Sequence, residues 1–205
     1  MIEIYYGPTA NGQRATVILE ESGLAFRRHP VDLAKGENLA PEFLALNPAG
    51  MTPVLVDGEG PGLKRIVITQ SVAIMLYVAE KAGRFIPGDA YRRAQMQSWL
   101  MFVASDIAMT SGTLFQLTLA APERNPAYFE HFEKRLGRFF AVCDQQLTGR
   151  EYLVDELSIA DFALYPNVAA RKTLIERHGP MPNLTAWAER MGARPGVTRG
   201  MKKLQ

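Results

Sequence analysis

The sequence predicts an α/β domain followed by an all-α domain. Three observations carry this expectation. Short β-branched and aromatic runs alternate with helical patterns over the first 82 residues. Gly, Pro and Asn punctuate those runs. Beyond Pro87-Gly88 only helical periodicity remains. Taken in order, IEIYY (2–6) is a strand ending at Gly7-Pro8. Residues 10–22 read as a helix stopped by Gly23, since glycine tolerates the left-handed helix end. AFRRHPVDL (25–33) contains a second strand. PEFLALN (41–47) is a short helix with proline at its start. PVLVDG (53–58) and KRIVIT (64–69) are strands joined by a three-glycine segment, hence a hairpin. The stretch TQSVAIMLYVAEK (69–81) is the closing helix. The order is β-α-β-α-β-β-α. Four helices then follow, near 90–120, 126–147, 158–172 and 182–193.

Bulk properties exclude several classes. The 205 residues carry a formal net charge of +2, too balanced for nucleic acid or a membrane surface as partner. The start, MIEIYYGPTANG, lacks the basic and apolar regions of a secretory signal. No uninterrupted apolar stretch of about 20 residues stands out to span a bilayer. Cys143 is the single cysteine, so no intrachain disulfide can form, and a reducing, cytoplasmic setting is expected. His29, His131 and His178 show no metal-ligand spacing with one another or with Cys143, so no metal is expected.

Two polar groupings stand out. Gln70 and Ser71 precede an apolar helix. Ser71 reads either as an N-cap or as part of an anion site, where free N–H groups and the positive dipole end meet a ligand. LSIADF (157–162) fits a capping box, with Ser158 as N-cap, Asp161 as the acid three residues on, and Leu157 and Phe162 as the staple. Asp161 is therefore structural. Pro166 falls inside that helix, where a bend is expected.

Five separated motifs in order, GPTANG (7–12), NPAGMTPVLVDG (47–58), TQSVAI (69–74), LSIADF (157–162) and LTAWAERMGARPGV (184–197), resemble those of cytosolic glutathione transferases. The resemblance spans the whole chain and implies a thioredoxin-like glutathione-binding domain over 1–83. It implies an all-helical domain over 90–205 that lines the second-substrate pocket. GPTANG is similar to bacterial nu-class-like members, and WLMFVASDIAMTSGTLF (99–115) to the beta class. The chain departs from the beta class in having Asn11 for its cysteine and Ala108 and Met109 for its His and Lys. It departs from nu-like members in having Met51 for a lysine.

The resemblance implies glutathione as co-substrate, a small electrophilic or disulfide second substrate, and a homodimer. Ser71 and Gln70 would hold the γ-glutamyl end. The Thr52–Pro53 peptide would be cis, with the backbone of Thr52 pairing with the cysteinyl part of glutathione. Otherwise Pro53 simply opens an edge strand. Thr9 and Asn11 would donate to the sulfur or else cap the first helix; Tyr5 and Tyr6 are rivals for the sulfur. Asn38 would serve the glycyl end, with Lys35 as a further candidate. Asp106 would reach the γ-glutamyl amino group across the dimer, or else stand as a solvated helix position. Phe102, Met109, Phe115 and Leu117 would wall the second-substrate pocket. Cys143, in a core helix, is expected to take no part, so any sulfur chemistry must use thiols that glutathione supplies. The alternative is a non-catalytic glutathione- or ligand-binding stress protein on the same fold.

Overall fold

The computed structural model describes residues 1–119 and 125–202. It divides into two compact units, Met1–Arg84 with Arg194–Gln205, and Phe85–Ala193.

In the first unit, strands β1 (Ile2–Tyr6), β2 (Phe26–Pro30), β3 (Val54–Asp57) and β4 (Ile66–Thr69) form one sheet in the order β2-β1-β3-β4. β1 and β2 are parallel; β1 with β3 and β3 with β4 are antiparallel. The parallel pair needs a crossover, supplied by α1 (Ala10–Ser22). α1 ends at Gly23 with φ 75°, the left-handed conformation that glycine adopts at little cost. α2 (Pro41–Leu44) is a single turn, and its Phe43 packs with Val31 and Val54. α3 (Ser71–Ala82) follows β4 and packs on α1. Side chains alternate across the sheet. Ile2, Ile4 and Tyr6 are buried, whereas Glu3 and Tyr5 are half-buried.

Among the described residues the regular elements of the second unit are all helices. α4 (Ala90–Met101) passes through a π-helical turn, Phe102–Ile107, into α5 (Ala108–Leu119). α6 (Pro126–Gln146), α7 (Ile159–Ala170), α8 (Lys172–Arg177) and α9 (Pro182–Gly192) complete it. The expected helix end at 120 lies outside the described residues. By length and composition alone the run Ala90–Thr118 would suit a bilayer. This run packs against α6 and α7 along part of its surface, with 33% of its most apolar stretch buried.

The capping box is present. Ser158 Oγ accepts from Ala160 N, and Asp161 accepts from Ser158 N. Asp161 also receives Leu153 N–H and the Trp187 indole N–H, each at 3.0 Å. Burial pushes its carboxyl up to about 6, against the pull of these donors. Pro166 lies within α7, which continues through it.

Three local features depart from the sequence reading. The helix expected over 158–172 breaks at Arg171, whose φ of −123° is not helical. The π turn interrupts what the periodicity reads as one helix. The described residues from Arg194 onward pack with the first unit, whereas the resemblance places all of 90–205 in the helical domain. There α10 (Pro195–Gly200) lies on α1. Glu21, 9% exposed, receives Arg194 Nη2 at 2.7 Å and Val197 N at 3.2 Å, and Thr16 Oγ1 donates to Gly200 O at 2.7 Å. A partner charge buried on α1 explains why a tail that follows the helical half in sequence returns to the first unit.

Candidate active site

Strand register gathers the candidate residues of the first unit. Val54 pairs with Tyr5 on one side and with Thr69 on the other. The chain before Val54 therefore runs beside the end of β1 and the end of β4. Thr52 and Pro53 lie between the turn that starts α1 and the turn that starts α3. A Cβ on Gly7 would sit 3.1 Å from Thr52 Oγ1, so the turn after β1 lies against the segment before β3.

At the head of α1 the cap is Thr9, not Asn11. Thr9 Oγ1 accepts from Gly12 N at 3.1 Å. Accepting that bond leaves its O–H free to donate. Asn11 lies one residue inside the helix and is exposed; its Oδ1 accepts from Arg14 Nη1 at 2.9 Å. Arg14 is 1% exposed, and burial lowers its guanidinium to about 10, which leaves it charged at neutral pH. Gly12 is required here, because a Cβ would overlap the Gly7 carbonyl. Tyr6 is buried in the core, with Arg28 over its ring. Tyr5 stacks on His29 with ring centroids 4.5 Å apart; desolvation, then Glu3, raises its phenol, which opposes a phenolate role.

At the head of α3 the sequence reading of Ser71 as N-cap is corrected. The N-cap is Gln70, held at φ 70°, ψ 119°, with its side chain exposed and making no cap bond. A positive φ costs a non-glycine residue about 1–3 kcal/mol and concentrates at functional sites. Ser71 is the first helical residue, 8% exposed. The first intrahelical bond is Ile74 N to Gln70 O at 3.0 Å, so the N–H groups of residues 71 to 73 stay open. Among the described residues Ser71 Oγ makes no hydrogen bond. The turn thus presents three N–H groups, a hydroxyl, an amide and the positive dipole end, a fit for a carboxylate.

The Thr52–Pro53 peptide is cis. Among the described residues the main chain of Thr52 makes no hydrogen bond. Asn38 Nδ2 donates to Gly50 O at 2.7 Å, tying its loop to the segment before Thr52, while Oδ1 makes no hydrogen bond among the described residues. Asn38 therefore first serves the loop. Lys35 is exposed and sits 3.3 Å from Asp32. Met51 is 60% exposed.

In the second unit Asp106 lies in the π turn. Ser105 Oγ donates to it at 2.9 Å, and Arg135 Nη2 stands 3.9 Å away. It is 37% exposed, so neither partner sequesters it. Phe102 packs edge-on against Trp99 and Phe139, while Met109 and Phe115 are exposed. Cys143 is fully buried, and burial pushes its thiol up to about 12. Among the described residues no cluster of three or more His, Cys, Asp or Glu is placed to hold a metal.

Comparisons with known proteins agree with the fold. The family described as glutathione S-transferase, N-terminal domain, matches residues 10–81; its C-terminal domain counterpart matches 114–203. The disulfide-bond oxidoreductase YfcG of Escherichia coli is 33% identical over 207 residues, covering 100% of this chain and 96% of its own. Glutathione S-transferase F10 of Arabidopsis thaliana is 36% identical over 177 residues, covering 81% of this chain and 79% of its own. A glutathione transferase from Pseudomonas putida, solved with one glutathione disulfide per subunit, superposes with a TM-score of 0.92 at 29% identity, over 98% of this chain and 90% of that one. With both halves matched, and with the four-stranded mixed sheet joined to a helical unit, the chain belongs to the glutathione S-transferase family.

Proposed function

We propose that this protein binds glutathione on its first unit and activates the thiol as a nucleophile. The observation that carries the reading is the open head of α3, where Ser71 Oγ and three N–H groups have no partner among the described residues. The γ-glutamyl carboxylate would accept from that turn, with Gln70 beside it. The open N–H and C=O of Thr52 would pair with the cysteinyl backbone as an added strand. This leaves the sulfur toward the head of α1. A free thiol ionises near pH 8.5; donors and a helix N-terminus favour the thiolate. Thr9 O–H and the Asn11 amide are such donors. Neither titrates near neutral pH, so both stabilise the anion without acting as bases.

The reaction we favour is glutathione-dependent disulfide reduction. The bound thiolate attacks a substrate disulfide, the S–S bond breaks, and one substrate thiolate leaves. A second glutathione thiolate attacks the resulting mixed disulfide, releasing the remaining substrate thiolate and glutathione disulfide. The first unit has no cysteine, so both sulfurs come from glutathione. Support comes from YfcG and from YghU of Escherichia coli, also a disulfide-bond oxidoreductase and 28% identical over 97% of this chain. A Pseudomonas fluorescens relative solved with two glutathiones bound points the same way. Conjugation to an electrophilic carbon is the second reading, favoured by the likeness to the plant transferase. The GPTANG turn favours a nu-like subclass. A cytoplasmic homodimer, with Asp106 reaching the γ-glutamyl ammonium of the partner's glutathione, completes the reading.

Parallel assays with glutathione and either a mixed disulfide or an aryl halide test it. Turnover of the disulfide above that of the halide is expected. Glutathione binding without turnover of either substrate, or with halide turnover dominant, would overturn the favoured reaction.

A further inference from the structure

We infer that Arg14 is a positioning residue that fixes which face of the Asn11 carboxamide the glutathione sulfur meets. The inference rests on the reading above, in which Asn11 donates to that sulfur. Its basis is the chemistry of the pair. A guanidinium carries five N–H donors and no acceptor. The Asn11 atom 2.9 Å from Arg14 Nη1 must therefore be the oxygen. This settles the O/N orientation of the amide, which for an isolated asparagine is an assignment. With Oδ1 held by the cation, the NH2 group occupies the opposite side of the carboxamide, on a side chain that is itself exposed.

Holding the amide this way matters for a neutral donor. An unheld carboxamide turned through half a rotation would offer Oδ1, an acceptor that repels a thiolate. Arg14 is suited to prevent that turn. It is 1% exposed and sits one turn along the same helix as Asn11, so its own head has little freedom. A charge-assisted bond is also roughly twice as strong as one between neutral groups. Lysine could supply the charge but not the planar fork that fixes orientation. Asn11 is thus the contact group and Arg14 acts through it.

The test is a double-mutant cycle on Arg14→Gln and Asn11→Ala. Its readout is the pH at which the bound glutathione thiol ionises, followed by thiolate absorbance. Arg14→Gln in the native background should raise that pH by about half to one unit, the scale of one lost hydrogen bond. In the Asn11→Ala background the same substitution should change it little, because the route through Asn11 is gone. Equal effects in both backgrounds, or none in either, would overturn the role of Arg14. A separate outcome, in which Asn11→Ala alone leaves thiol ionisation unchanged, would instead sink the underlying sulfur assignment. Should Arg14→Gln not fold, the wild-type protein decides by NMR. The Asn11 NH2 resonances should shift on glutathione binding while the Arg14 Nη1–H signal stays protected from exchange. A rapidly exchanging Arg14 signal in the complex would overturn the inference.

Discussion

Lys81 Nζ donates to Asp57 Oδ2 at 2.5 Å, joining the last turn of α3 to the end of β3. Tyr77 OH reaches the same oxygen at 2.6 Å. Asp57 is 1% exposed, and Lys81 Nζ also donates to Glu59 O at 2.9 Å. β3 starts at Val54 and α3 at Ser71. The clamp holds their far ends, so α3 aims its head at the residues before Val54. Two candidate binding segments are thus held in register by an ion pair away from both.

This clamp has a pH signature. Desolvation raises the Asp57 carboxyl, but the bonds from Lys81, Tyr77 and the Glu59 N–H outweigh it and hold it at about 2. The folded value lies below the unfolded one, near 3.9. Its stabilisation is therefore complete above about pH 4 and lost as pH falls towards 2. Lys81→Met should lower stability by about 1–3 kcal/mol at pH 7 and flatten the acid limb in that window. Urea denaturation at pH 7, 4 and 2.5 measures both. An unchanged acid limb would show that the pair contributes nothing.

Gln70 should trade stability for binding. Its φ of 70° suits glycine better than glutamine. Gln70→Gly is expected to raise folding stability by about 0.5–1 kcal/mol while weakening glutathione binding. Thermal unfolding and calorimetry on the one variant check the pair of effects. Unaltered glutathione affinity would remove Gln70 from the site.

Cys143 should be silent. A fully buried thiol pushed up to about 12 is not a thiolate at neutral pH. Cys143→Ala should keep activity and lose about 1 kcal/mol of stability. The native protein should resist thiol reagents until unfolded. Loss of turnover with fold and glutathione affinity intact would place a nucleophile where burial argues against one.

Asp106 tests the dimer. If it meets the ammonium of glutathione held by a partner subunit, Asp106→Asn should weaken glutathione binding and leave the dimer intact. An exposed pair with Arg135 alone gives about 0–1 kcal/mol of stability and does not alter binding. Light scattering on the wild type and calorimetry on the variant distinguish the two cases. A monomer with full affinity contradicts the first part, and a variant that binds as tightly as wild type contradicts the second.

Most of the fold was legible because its signals are local. Gly23 stops α1, Ser158 and Asp161 box the start of α7, and the alternation in IEIYY marks one covered face. Features set by tertiary contact were not legible. The return of α10 to the first unit depends on Glu21 meeting Arg194, 173 residues away, which no window detects. The π turn at Phe102–Ile107 keeps helical periodicity, so the sequence reads through it. At the candidate site, residue types placed Gln70 and Ser71 at a helix head. They did not place the cap at Gln70, because glutamine is a poor sequence signal for positive φ. Arg14 was missed altogether. A basic residue on an apolar helix face was the available sign, and its meaning lies in the bond to Asn11.

Calorimetric titration of glutathione into the wild type and Ser71→Ala tests most directly whether the head of α3 is a glutathione site. The wild type should bind, and the variant should bind more weakly by about 1–3 kcal/mol, the cost of leaving a charged carboxylate one donor short. Equal affinity in a correctly folded Ser71→Ala protein, or no binding by the wild type, would contradict the assignment.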